Sequence, residues 1–178
     1  MKTWKEIVLS TLTAVVIVLP CAHAANNEIE TMRGIKGINV SIDTRISERV
    51  NVSFNKEMIK TYVESLLKNE GIPLLSQEAF FATHGSARLR LNVQIAEHTK
   101  ENNICAYNIE VELRQNVLLE RNRKISFSSP TWEEQVTGIV FRDYVEETVK
   151  DSAKSLMGRF LEAYSTAKPR QPVKQTVK

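Results

Sequence analysis

Few side chains in this sequence have the types and spacing that chemistry needs. Glu97, His98 and Glu101 fall close together in a polar stretch, and two carboxylates with an imidazole can in principle hold a metal ion. His84-Gly85-Ser86 sets a base beside a hydroxyl, the beginning of a nucleophilic arrangement. Neither pattern is completed. Ligand spacings such as CxxC or HExxH do not occur, Ser86 lacks the G-x-S-x-G elbow, and no aspartate is evidently placed to orient His84. With six glycines in all, the chain has no phosphate-binding glycine loop. The adjacent Glu133 and Glu134 point to different sides of either a strand or a helix, so they do not form an acid/base pair. The sequence therefore predicts no catalytic residue, no metal ligand and no cofactor or cofactor-binding residue.

Two cysteines remain, and one tryptophan beyond the expected leader. Cys21 precedes the expected cleavage site described below, which leaves Cys105 as the one thiol of the exported chain and makes an internal disulfide impossible. Cys105 is in phase with Tyr107, Ile109 and Val111, as a core cysteine would be; a redox thiol is the sharper alternative. Trp132 either anchors a partner or packs over the end of a sheet. Asn39-Val40-Ser41 and Asn51-Val52-Ser53 match the glycosylation sequon, but both fall in expected strands.

The elements that must position these residues begin behind a leader. Lys2 and Lys5 precede the apolar run IVLSTLTAVVIVL, Pro20 breaks it, and Ala22-His23-Ala24 has the small-x-small pattern of a signal peptidase site. Residues 1–24 are thus expected to be a signal peptide. The run is about 13 residues, too short to span a bilayer, and no second one follows. Cys21 offers an alternative, lipidation as the first residue of an outer-membrane lipoprotein. Proline stands ahead of it where a lipobox carries a small residue. The expected location is periplasmic or secreted, with no transmembrane span in the exported chain.

The formal net charge of the whole chain is +3. Lys168, Arg170, Lys174 and Lys178 lie in a C-terminal tail, so the globular part is mildly negative and makes no case for nucleic acid. The expected organisation is a polar N-terminal segment (25–34), one domain (35–167) and a disordered basic tail (168–178).

Within that domain, Ile35, Ile38, Val40 and Ile42 suggest a first strand, the last three in strict alternation. Val50, Val52 and Phe54 alternate again, as a second short strand or a continuation after a bulge near Ser47. Asn55 is a plausible N-cap for a helix whose stripe is Ile59, Tyr62, Val63, Leu66 and Leu67, ended by Gly71. Residues 72–86 read as irregular. Two clean alternations follow, Leu89 to Ile95 and Tyr107 to Leu113, joined by HTKENN as an antiparallel hairpin. Ile125 and Phe127 begin a further strand that is expected to stop before Pro130. A long helix, with Phe141, Tyr144, Val145, Val149, Ala153, Leu156, Phe160 and Tyr164 on its stripe, closes the domain. Strands with one wet face leave the other for helices. The expected fold is an α+β two-layer sandwich, a mainly antiparallel four- to five-stranded sheet with two helices on one face.

This order of elements resembles the lipopolysaccharide-assembly lipoproteins, and in outline the N-terminal domains of periplasmic translocation proteins and uncharacterised secreted bacterial proteins. The similarity rests on VNVSFNKEMIKTYVESLLKNEGI, ARLRLNVQIAEHTKENNICAYNIEVEL and TWEEQVTGIVFRDYVEETVKDSAKSLMGRFLEAY. It implies an envelope domain and carries over no functional residue. Three functions stay open: a non-catalytic envelope protein that binds a protein partner, a carrier of a small or lipidic ligand between sheet and long helix, and an enzyme built from scattered residues such as His84, His98 and Glu97.

Overall fold

The computed structural model of the chain describes residues 22–48, 50, 55–97 and 103–168, with side chains from Asn27 onward. In chain order it contains α1 (Ala22–Thr31), β1 (Ile38–Ile46), α2 (Lys56–Asn69), α3 (Gln77–Ala82), β2 (Ala87–Glu97), β3 (Ile104–Leu119), β4 (Asn122–Phe141), a 3-10 turn (Arg142–Tyr144) and α4 (Val145–Ala167). The strands form one sheet in the order β1-β2-β3-β4. β1 runs parallel to β2, which a crossover through α2 and α3 requires, and the other neighbours are antiparallel.

Alternation decides which face is dry. Ile38 and Val40 on β1, Leu89, Leu91, Val93 and Ile95 on β2, and Ile109, Val111 and Leu113 on β3 all point one way and are buried. Onto them pack Ile59, Val63 and Leu67 of α2 and Val149, Ala153, Leu156, Met157 and Phe160 of α4. Each fully buried side chain of this kind stabilises the fold by roughly 1.5–3 kcal/mol. α2 has the ends its sequence predicts: Asn55 Oδ1 accepts from the Met58 amide at 3.0 Å, and Gly71 follows the helix at φ +68°. Met32, just after α1, adds a further buried side chain to the same core. The fold is therefore α+β, with a four-stranded and mostly antiparallel sheet.

Four local expectations are corrected. Residues 72–86 contain the short helix α3, because Ser76 caps it by accepting from the Ala79 amide at 3.2 Å. The strand expected to stop before Pro130 runs on to Phe141. Pro130 is tolerated because the strand lies at the sheet edge and the register shifts there: Leu113 pairs with Trp132 but Arg114 with Pro130, leaving Thr131 as the extra residue. The closing helix starts later than its stripe suggests, since Phe141 pairs with Ile104 and the Arg142 amide donates to the Asn103 carbonyl at 2.8 Å. β3 continues past its alternating core to Leu119, so β3 and β4 extend about 17 Å beyond the last β2 partner as a two-stranded arm. Of the second strand expected at Val50, Val52 and Phe54, Val50 is buried outside any strand and positions 51–54 lie outside the described residues.

Candidate functional site

The sheet face away from α2 and α4 is a polar lattice. Asn39, Ser41 and Asp43 on β1 stand beside Arg88, Arg90 and Asn92 on β2, which face Arg114, Glu112 and Glu110 on β3. Glu112 is at the centre, its side chain only 5% exposed. Arg90 Nε lies 2.7 Å from one of its carboxylate oxygens and Arg114 Nη1 2.8 Å from the other. The Arg90 contact is an ion pair without hydrogen-bond alignment. Asp43 is a second, looser carboxylate for Arg90 at 3.4 Å. Arg114 also donates to the Ser128 carbonyl at 3.0 Å, which ties the base of the arm to the lattice.

Arg88 is held differently. Its Nε donates to Asn39 Oδ1 at 3.1 Å and its Nη2 to Gln77 Oε1 at 3.0 Å, and its guanidinium lies 4.5 Å from the Phe80 ring centroid. Asn39 is itself fixed by donating to the Leu75 carbonyl at 3.0 Å. Among the described residues, every partner of this cation is neutral. Between α3 and the arm the lattice opens into a cleft of about 730 Å3, lined by Arg88, Arg90 and Arg114, by Phe80 and Phe81 on one wall, and by Leu118 and Ser128 on the other. In the first turn of α3, the Glu78 carboxyl is held below its ordinary pKa by hydrogen bonds from its own backbone amide and from Ser76.

The residues singled out in the sequence fare unevenly. His84 and Ser86 line the cleft, but the Ser86 hydroxyl donates to the Phe80 carbonyl at 2.9 Å. Glu97 is engaged by Arg142 Nη2 at 2.6 Å, while His98 and Glu101 lie outside the described residues, as do Cys21, Asn51 and the chain beyond Lys168. No group of three or more metal-binding side chains occurs among the described residues. Cys105 is a buried free thiol. Trp132 packs edge-on against Phe160 at 5.3 Å, 6% exposed, so it is a packing residue. Glu134 pairs with Arg159 of α4 at 3.0 Å, and Glu133 stands on the opposite face across from Glu112. Asn39 of the first sequon is buried and hydrogen-bonded.

The layer between sheet and long helix, the place expected for a lipidic ligand, is filled by Ile109, Val111, Leu156, Met157 and Phe160, all fully buried. Among the described residues no helix is long and apolar enough to cross a membrane. The arginine lattice was missed in the sequence. Its signal was weak, because pairing symmetric about HTKENN would put Arg90 opposite Val111, and only the observed register, one residue further on, puts it opposite Glu112.

No family model matches the chain, and no curated protein matches it in sequence. Among solved structures it is similar to a PelC dodecamer variant from Paraburkholderia phytofirmans, at 17% identity over 74% of this chain and 90% of that one, with a TM-score of 0.41. It is also similar to rare lipoprotein B from Shewanella oneidensis (11% identity, 72% and 94% covered, TM-score 0.34) and to a minor lipoprotein from Acinetobacter baumannii (9%, 76% and 87%, TM-score 0.31). Likeness at this level assigns no role to any residue here.

Proposed function

We propose that this chain is an exported, non-catalytic protein of the cell envelope that acts by binding a protein partner through the face of its sheet away from α2 and α4. One observation carries the reading. At the end of that face remote from the arm, Ile139 and Phe141 of β4 are 70% and 58% exposed, beside Ala106 and Ile104 of β3. A solvated sheet face is expected to be polar along its length, as it is around Glu112, and clustered exposed apolar side chains mark interaction sites. β4 is also an edge strand, so its outer backbone groups are open to pairing with an added strand. The leader read in the sequence supports the location.

The test is photocrosslinking in the producing cell. A crosslinking residue at position 139 is expected to trap one protein, the same residue at Lys154, exposed where α4 borders α2, to trap none, and Phe141→Ser to abolish the product at 139. Equal trapping at 139 and 154, or none at 139, would count against the reading.

A further inference from the structure

We propose that the cleft between α3 and the β3–β4 arm binds a small organic monoanion, its carboxylate seated on Arg88 and its apolar body lying between Phe81 and Leu118. The site is separate from the apolar end of the same face and does not depend on it.

Charge comes first. Arg88, Arg90 and Arg114 line the cleft, and Asp43 and Glu112 are the carboxylates within ion-pair distance of Arg90 and Arg114. Among these five side chains one positive charge is left over, and it sits on Arg88 because every described partner of that residue is neutral. A surplus of one matches a carboxylate better than a phosphate monoester, which is mostly doubly charged at neutral pH.

Geometry comes second. A guanidinium has five N–H donors in a planar fork. Asn39 takes the one on Nε and Gln77 one on Nη2, which leaves both on Nη1 and one on Nη2. The Phe80 ring and the two amides hold the plane of the fork, so little rotamer freedom is lost when an anion arrives. Such a preset fork binds a carboxylate through parallel hydrogen bonds.

The walls come third. Phe81 is 73% exposed and Leu118 60% exposed, and they border the cleft from opposite sides. Covering both favours a ligand with an apolar body over a bare ion. The volume of about 730 Å3 falls in the range of small-molecule sites.

The experiment is calorimetric titration of the full exported chain with 2-naphthoate, and with 2-naphthamide, acetate and 2-naphthyl phosphate as controls. Naphthoate is expected to bind saturably and at least tenfold more tightly than each control. Arg88→Gln is expected to weaken naphthoate about tenfold, equivalent to about 1.4 kcal/mol, and to leave naphthamide unchanged. Phe81→Ala alters a side chain that is 73% exposed, and is expected to weaken naphthoate severalfold. No saturable binding at about 10 mM naphthoate, equal binding of naphthamide, acetate or naphthyl phosphate, or an Arg88→Gln protein that binds as the parent does would each overturn the proposal. The crosslinking at position 139 reads the partner surface on its own, so a failure here leaves that reading standing.

Discussion

Glu112 is a carboxylate with almost no access to water, on the face of the sheet that carries no long helix. Exposed ion pairs contribute little, typically under about 1 kcal/mol. This one differs because its side chain is 5% exposed and two guanidiniums reach it, while Arg90 and Arg114 keep 31% and 25% of their own exposure. Removing one member of a fully buried pair costs about 3–5 kcal/mol. Partial solvation of both arginines reduces that here, and Glu112→Gln is expected to destabilise the protein by about 2 kcal/mol. The measurement is the urea midpoint at unchanged slope, and a change under about 0.5 kcal/mol would show that the lattice does not hold the face together. The residue scale is also where the sequence was least legible. Cys105 announces its burial through phase, whereas the size of Trp132 is compatible with either an anchor or a packing residue. Arg88, Arg90 and Glu112 appear only as the polar half of an alternation, and polar alternates read as solvated until strand register sets opposite charges across from one another. Arg88 was hidden more deeply, because its partners Asn39, Gln77 and Phe80 come from three separate segments.

At the scale of elements, the strands were legible where one side must be dry, and misjudged where that constraint lapses. β2 and the first half of β3 alternate because a helix layer covers one side. The arm has no such layer, and Leu118, Ile125 and Phe127 are exposed there, so its pattern gives no reliable sign of where a strand ends. Pro130 looked like a stop because a central strand would not accept it, but a bulged edge strand does. The same edge holds a further dependence of β4 on its neighbour. Gly138 lies opposite Tyr107, and a Cβ on Gly138 would sit 2.8 Å from the tyrosine oxygen and 2.9 and 3.0 Å from ring carbons. A rigid ring relieves such a contact only by swinging as a whole. Gly138→Val is therefore expected to cost about 1–3 kcal/mol. Tyr107→Ala should remove most of that added cost, leaving a coupling of about 1 kcal/mol or more in a double-mutant cycle. Additive losses would show that the ring and the glycine do not constrain each other.

The whole molecule separates stability from exposed chemistry by putting them on opposite sides of one sheet. Among the described residues, every large fully buried side chain belongs to the dry side, where β1 to β4 meet α2, α4 and the segment after α1. The other side has the arginine lattice in its middle, a cleft at one end and an apolar patch at the other. A chain organised in this way should tolerate losing part of the wet side without unfolding, and the arm is the clearest case. Its residues pair with each other beyond the last β2 contact, and Asn116 pairs with Ser128, so residues 117–127 can be replaced by Asn-Gly as a two-residue turn. Arg114 keeps its contacts with Glu112 and Ser128 in that variant, because none of the three is removed. The expected result is stability within about 1 kcal/mol of the parent by urea unfolding. Naphthoate binding should fall severalfold in the same variant, since the Leu118 wall is gone while Arg88 and Phe80 are untouched. A large loss of stability would mean that the arm belongs to the cooperative core and that the two sides are not independent. Unchanged stability with unchanged binding would place the ligand on α3 alone and remove the arm from the site.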